Sequence, residues 1–135
     1  MQLIAGVSLA TVGGASLRDL GDLTGFGAIN LGLLAIPFTA VAITGLCNAY
    51  NMVDGIDGLA GSLTIVSLLS LLLLANGQAP ENQVTLLAYM ATSITVFLFF
   101  NLTIGPLAKT KVFMGDAGST FLGCAVAIAM IHFTQ

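Results

Sequence analysis

The chain has 135 residues, 57% hydrophobic and 7% charged, with a formal net charge of −3 and a mean hydropathy of +1.04. Soluble domains carry about 25% charged residues, so three basic and six acidic side chains cannot wet the surface of a soluble domain of this length. A soluble globular domain, a disordered segment and a nucleic-acid binder, which would show a basic stripe, are excluded.

Charge-free stretches cover 1–17, 23–53, 58–80, 82–108 and 117–135. A membrane-spanning helix needs roughly 20 mostly apolar residues to cross about 30 Å of hydrocarbon. Helices and closed barrels alone satisfy their backbone groups in lipid, and the stretches lack the alternation of barrel strands. The sequence therefore predicts helical spans at 1–17, 28–48, 59–75, 84–102 and 117–134. The fold class is all-α: a polytopic membrane helix bundle of about five transmembrane helices, with 1–135 forming a single transmembrane region.

The connections carry helix breakers. Gly21, Gly25 and Gly27 interrupt the first, Asn76-Gly77 and Ala79-Pro80 the third, and Gly105-Pro106 ends the fourth span, since proline cannot continue a helix without losing a hydrogen bond. Alternation of spans places 18–27 and 76–83 on one side, and 49–58 and 103–116 on the other. Lys109 and Lys111 lie in the last connection, and basic residues favour the cytoplasmic side. The 49–58 and 103–116 connections are thus expected in the cytoplasm. No basic segment follows Met1, so no secretory signal peptide is read. Cys47 and Cys124 fall in or at the ends of apolar spans, with spacing that suits neither zinc nor a disulfide framework; both read as packing residues.

Polar residues gather in two places. Asn48, Asn51, Asp54 and Asp57 recur every third residue. Each such step turns the direction on a helix by about 300°, so neighbours in the series are adjacent. Asn48, Asn51 and Asp54 can line one face, while Gly55 and Gly58 suggest that the helix loosens near Asp57. Asn, Asp and Gly also suit an ordinary turn, but a turn does not account for the regular spacing. Two carboxylates three residues apart repel unless something cationic lies between them, a divalent ion or a Lys or Arg from elsewhere. An EF-hand is a poor match, because the alternating oxygen ligands and the terminal Glu are missing.

The second place is 111–120, KVFMGDAGST. Asp116 precedes a long apolar stretch, where it can act as N-cap or as a metal ligand beside a helix end whose N–H groups and dipole favour phosphate. Magnesium takes one or two carboxylates plus substrate phosphates and water. Asn51 and Asp116 could supply such a site if the two connections meet. Asn101 reads as a span-end cap or a substrate contact, and Phe113 as an interfacial or packing residue. His132 is expected near the opposite end, away from the carboxylates.

The stretches NAYNMVDGIDGLAG at 48–61 and KVFMGDAGST at 111–120 resemble the polyprenyl-phosphate N-acetylhexosamine-1-phosphate transferases. The Met-Val-Asp form of the first motif looks more like the GlcNAc-1-phosphate branch than the phospho-MurNAc-pentapeptide branch. The resemblance implies transfer of a sugar-1-phosphate from a UDP-N-acetylhexosamine to undecaprenyl phosphate, with release of UMP, at the cytoplasmic face of a bacterial inner membrane. It implies Mg²⁺ or Mn²⁺ as cofactor and the lipid bilayer as surroundings, with a homodimer as a candidate assembly. By resemblance, Asn51 and Asp116 are metal positions, and Asp54 and Asp57 are catalytic or position the nucleotide-sugar. Asn48 lines the site, and Gly55, Ile56, Asn101 and Phe113 contact uridine. Neither Asp is needed as base toward the lipid phosphate, a monoester whose second pKa is about 6.

The family also carries an Asp-Asp pair upstream and a His-rich loop downstream. This chain has no Asp-Asp dipeptide and a single His. It therefore reads as the middle of a larger multi-span enzyme and is expected to be inactive alone. Rival readings are a transporter piece using Asp54 and Asp57, which would want those acids near mid-span, and a non-catalytic membrane segment.

Overall fold

A computed structural model describes residues 2–22, 25–75, 79–102 and 111–135. Among the described residues five α-helices follow in order: α1 (Gln2–Thr11), α2 (Ala35–Val53, led in by a 3-10 turn at Gly32–Leu34), α3 (Leu59–Ala75), α4 (Glu81–Asn101) and α5 (Gly115–Thr134). The bundle of apolar helices predicted from composition is present. Among the described residues three segments are long and apolar enough to cross a membrane: Gly32–Val53, Glu81–Asn101 and Gly115–Thr134. Gln2–Thr11 and Leu59–Ala75 are shorter apolar helices.

Boundaries differ from expectation at particular residues. The first helix ends at Thr11 and not at 17, because Gly14 turns left-handed at φ +66°. The chain beyond packs back on α2, where the Leu17 N–H donates to Thr39 Oγ1 at 2.9 Å. The second helix starts at Ala35, later than 28, after positive-φ turns at Gly27 and Gly32. It then runs past 48 to Val53, so Asn48 and Asn51 are helical and Asp54 is the C-cap. The third matches 59–75, and the fourth starts directly after Pro80. The breakers Asn76, Gly77, Gly105 and Pro106, and Lys109, lie outside the described residues.

α2 and α5 form the centre. α1 packs on α2, while α3 contacts α5 and also α4. Three apolar clusters fill the interfaces. Ile43, Cys47, Ala127 and Ile131 join α2 to α5, with Ala15 beside them. Tyr50, Ala60, Leu122 and Val126 join α2, α3 and α5. Leu68, Leu71 and Leu87 join α3 to α4, with Ala129 and Phe133 of α5 against them. Matching Ile43 with Ala127 and Ile131, and Tyr50 with Leu122 and Val126, makes α2 and α5 antiparallel.

Small residues allow the backbones to close, as at helix interfaces in membranes. At Gly123 an added Cβ would lie 2.9 Å from both Cys47 Cα and Leu46 O, and 3.0 Å from Tyr50 Cβ. At Gly6 it would lie 2.9 Å from the Ala40 carbonyl oxygen. The exposed helix α4 satisfies its own hydroxyls: Thr92, Ser93 and Thr95 each donate one turn back at 2.7–2.8 Å. Its exposed side chains include Leu86, Tyr89, Val96 and Phe99, a surface suited to hydrocarbon and not to water.

The connection after α1 contains a pairing that the sequence did not announce. Leu20 N–H donates to Ile29 O at 3.1 Å, and Leu31 N–H to Arg18 O at 2.9 Å. Gln135, at the end of α5, accepts the Arg18 N–H at 2.8 Å and donates to the Asp19 carbonyl at 2.9 Å. This fixes the C-terminal end of α5 at the end of the bundle opposite α5's first turn.

The α2–α5 crossing yields a prediction. Gly123→Val should destabilise the bundle by about 1–3 kcal/mol, the usual cost of overpacking. Gly45→Ala, with nothing within 4 Å of the added carbon, should be neutral or slightly stabilising. Thermal unfolding in detergent, read by loss of monodisperse protein, would show the contrast; equal behaviour of the two variants would contradict the packing.

Candidate active site at one end of the bundle

The two polar motifs meet at the end of the bundle where α2 stops and α5 starts. Antiparallel packing of Tyr50 and Val53 against Leu122 and Met114 brings the C-terminus of α2 beside the N-terminus of α5. The chain leaves α2 through Asp54, whose N–H still donates to Tyr50 O at 3.0 Å, and passes through a turn at 54–58. The helix thus loosens where Gly55 and Gly58 suggested. Gly58 has φ +74°, a conformation that a residue with a side chain adopts only with strain.

Asn101, the last residue of α4, joins both segments. Its Oδ1 accepts the Gly58 N–H at 2.6 Å, and its Nδ2 donates to the Val112 carbonyl at 2.9 Å. It is 5% exposed, so both ends of the amide are committed inside the protein. One side chain thereby sets the spacing between the turn that bears Asp54 and Asp57 and the segment that leads to Asp116.

A second link crosses the same gap. Lys111 Nζ lies 2.6 Å from Asp57 Oδ2 and 4.8 Å from the centroid of the Phe113 ring. The neighbouring carboxylates called for a cation, and Lys111 is one. From the sequence it marks only topology. The signal available was its place in the same short segment as Phe113 and Asp116. The ion pair is open to solvent, with side chains 31% and 49% exposed, so it contributes at most about 1 kcal/mol.

Asp116 is the second residue of α5 and not its N-cap, which is Met114. The helix starts at Gly115, a left-handed turn at φ +71°, two residues before the expected 117. Asp116 therefore lies in the first turn, where a carboxylate meets the positive end of the helix dipole. Asp116 is exposed, as are Asn48, Gly55, Ile56 and Phe113; Asn51 and Asp54 are half-buried. Asn51 and Asp116 share this end of the bundle with no hydrogen bond between them. No cluster of three His, Cys, Asp or Glu side chains that could hold a metal occurs among the described residues. The oxygen donors of Asn51 and Asp116 nonetheless suit a hard cation that completes its shell with water and phosphate.

Tyr50 was not singled out from the sequence. It is buried, and its hydroxyl lies 3.5 Å from Thr64 Oγ1, linking α2 to α3 beneath the turn. His132 lies at the other end, beside Arg18 and Asp19, as expected.

Apolar helices of these lengths define a membrane helix bundle, with Asp54, Asp57 and Asp116 at the end where α2 stops and α5 starts. Residues 1–134 match the family model described as glycosyl transferase family 4, and the chain belongs to that family. It is 37% identical over 138 residues to the undecaprenyl-phosphate alpha-N-acetylglucosaminyl 1-phosphate transferase of Yersinia pestis, covering 100% of this chain and 37% of the relative. The enzyme of the same name from Escherichia coli K12 is 35% identical over 136 residues, covering 100% of this chain and 36% of the relative. The phospho-N-acetylmuramoyl-pentapeptide-transferase of Streptococcus uberis is 36% identical over 107 residues, covering 79% of this chain and 30% of the relative. The chain thus spans 30–37% of the length of these relatives.

The Asn101 geometry is testable apart from catalysis. Asn101→Leu leaves the buried Gly58 N–H without its acceptor, at a cost of about 1–3 kcal/mol. Amide hydrogen exchange in detergent should quicken in peptides covering both 54–61 and 111–116, with α1 unaffected. Exchange confined to one of the two segments would deny that Asn101 couples them.

Proposed function

We propose that these residues form part of the active site of a polyprenyl-phosphate sugar-1-phosphate transferase, of the kind that passes GlcNAc-1-phosphate from UDP-GlcNAc to undecaprenyl phosphate. The observation that carries this reading is the convergence of the 54–58 turn with the 111–116 segment through Asn101 and Lys111. Relatives named for GlcNAc-1-phosphate transfer align with the whole chain, which supports that branch over the muramoyl-pentapeptide branch. Acids at helix ends, and not at mid-span, favour it over a transporter segment.

Two anions must approach each other in this reaction. Asn51 and Asp116 would hold a Mg²⁺ or Mn²⁺ ion, whose charge offsets that repulsion and stabilises the leaving phosphate. Asp54 and Asp57 serve catalysis or orient the nucleotide-sugar, Asn48 lines the site, and Gly55, Ile56 and Phe113 offer exposed surface to the uridine. Asn101, with its amide engaged at both ends, shapes this pocket from behind. The lipid phosphate needs no protein base, being already ionised at neutral pH.

In the full-length gene product, Asp116→Asn and Asn51→Ala should each lower magnesium-dependent transfer of labelled GlcNAc-1-phosphate by about 100-fold or more, the scale of losing one electrostatic stabiliser. They should also raise the metal concentration needed for half-activation. Unchanged turnover and unchanged metal dependence would remove both residues from the metal site.

The proposed sidedness places 54–58 and 111–116 in the cytoplasm of a bacterial inner membrane. With Cys47 and Cys124 replaced by Ser, a cysteine at position 54 should react with an impermeant thiol reagent only from the cytoplasmic side, and one at position 79 only from outside. Labelling of both from one side would overturn the topology.

A further inference from the structure

Lys111 is the sole base among the described residues at the end of the bundle where Asp54, Asp57 and Asp116 lie. Its ammonium is held from two directions, by Asp57 Oδ2 at 2.6 Å and by the face of the Phe113 ring at 4.8 Å. An ammonium carries three donors. Among the described residues Asp57 takes one, which leaves donor capacity on a group already fixed at the site. The ion pair is partly exposed on both sides, and a pair of that kind is weakly held. A phosphate group carries more negative charge and more acceptor oxygens than a single carboxylate, so it competes well for the same ammonium.

We infer that Lys111 binds a substrate phosphate by exchanging Asp57 for it. The exchange does two things at once. It places a positive charge on the anion, and it releases the Asp57 carboxylate, which otherwise stays masked. Phe113 keeps the ammonium near its place during the exchange, because cation–π attraction depends on the ring face and not on Asp57. The inference rests on the nucleotide-sugar reading above. The donor diphosphate and the lipid acceptor phosphate offer the same chemistry, and the experiment separates them.

In membranes carrying the full-length gene product, wild type, Lys111→Gln and Lys111→Arg are compared for the KM of each substrate and for inhibition by uridine, UMP and UDP. Lys111→Gln should raise one KM by about tenfold or more, the worth of a hydrogen bond to a charged group, and Lys111→Arg, which keeps the charge, should recover part of it. A raised donor KM, with UMP and UDP inhibition weakened and uridine inhibition unchanged, assigns the contact to the donor. A raised lipid-phosphate KM with the inhibitor series unchanged assigns it to the acceptor. Unchanged KM values, or equal weakening of uridine, UMP and UDP, overturn the inference. Wild-type insensitivity to UMP and UDP would instead count against the nucleotide reading, and the acceptor KM would still decide the role of Lys111.

Discussion

The close antiparallel crossing of α2 and α5 at Gly123 is the constraint on which the rest depends. With no Cβ at that point, the α5 backbone approaches Cys47 and Tyr50 at a separation that any side chain would prevent. Helices in lipid gain no hydrophobic drive from pairing and hold together through such contacts. Because the crossing is antiparallel, the C-terminal end of one polar motif lies beside the N-terminal start of the other.

Asn101 and Lys111 refine what the crossing makes available. They differ in kind. Asn101 is buried and holds backbone, so its two hydrogen bonds act as fixed spacing. Lys111 is open to solvent and holds a carboxylate, so its contact can be exchanged. The proposed reaction, which brings two anions together, would draw on both, a rigid frame and a charge that can move between partners.

The sequence went far for the helices and less far for their ends. The spacing of charges was enough to recognise apolar helices, and 59–75 emerged unchanged. The first helix is shorter because Gly14 and the Thr39 hydroxyl fold 15–17 back on α2, a long-range contact with no local signal. For the site, motif resemblance named Asp54, Asp57, Asn101 and Asp116. Without the resemblance, the residues left Asn101 open between cap and substrate contact, since the partners of its amide lie 43 and 11 residues away.

By itself, the sequence determined the environment and the chemistry. Few charges meant lipid surroundings, and the Asn/Asp series with the Gly-Asp segment marked where the acidic and amide side chains gather. Tertiary structure alone decided which of those residues face each other, and in what role. Lys111 changed from a marker of topology to the partner of Asp57, and Asn101 from a helix end to the tie between two motifs. The physical reason is distance: composition and periodicity act within a helix, whereas a 2.6 Å contact across 54 residues exists only once the helices have packed.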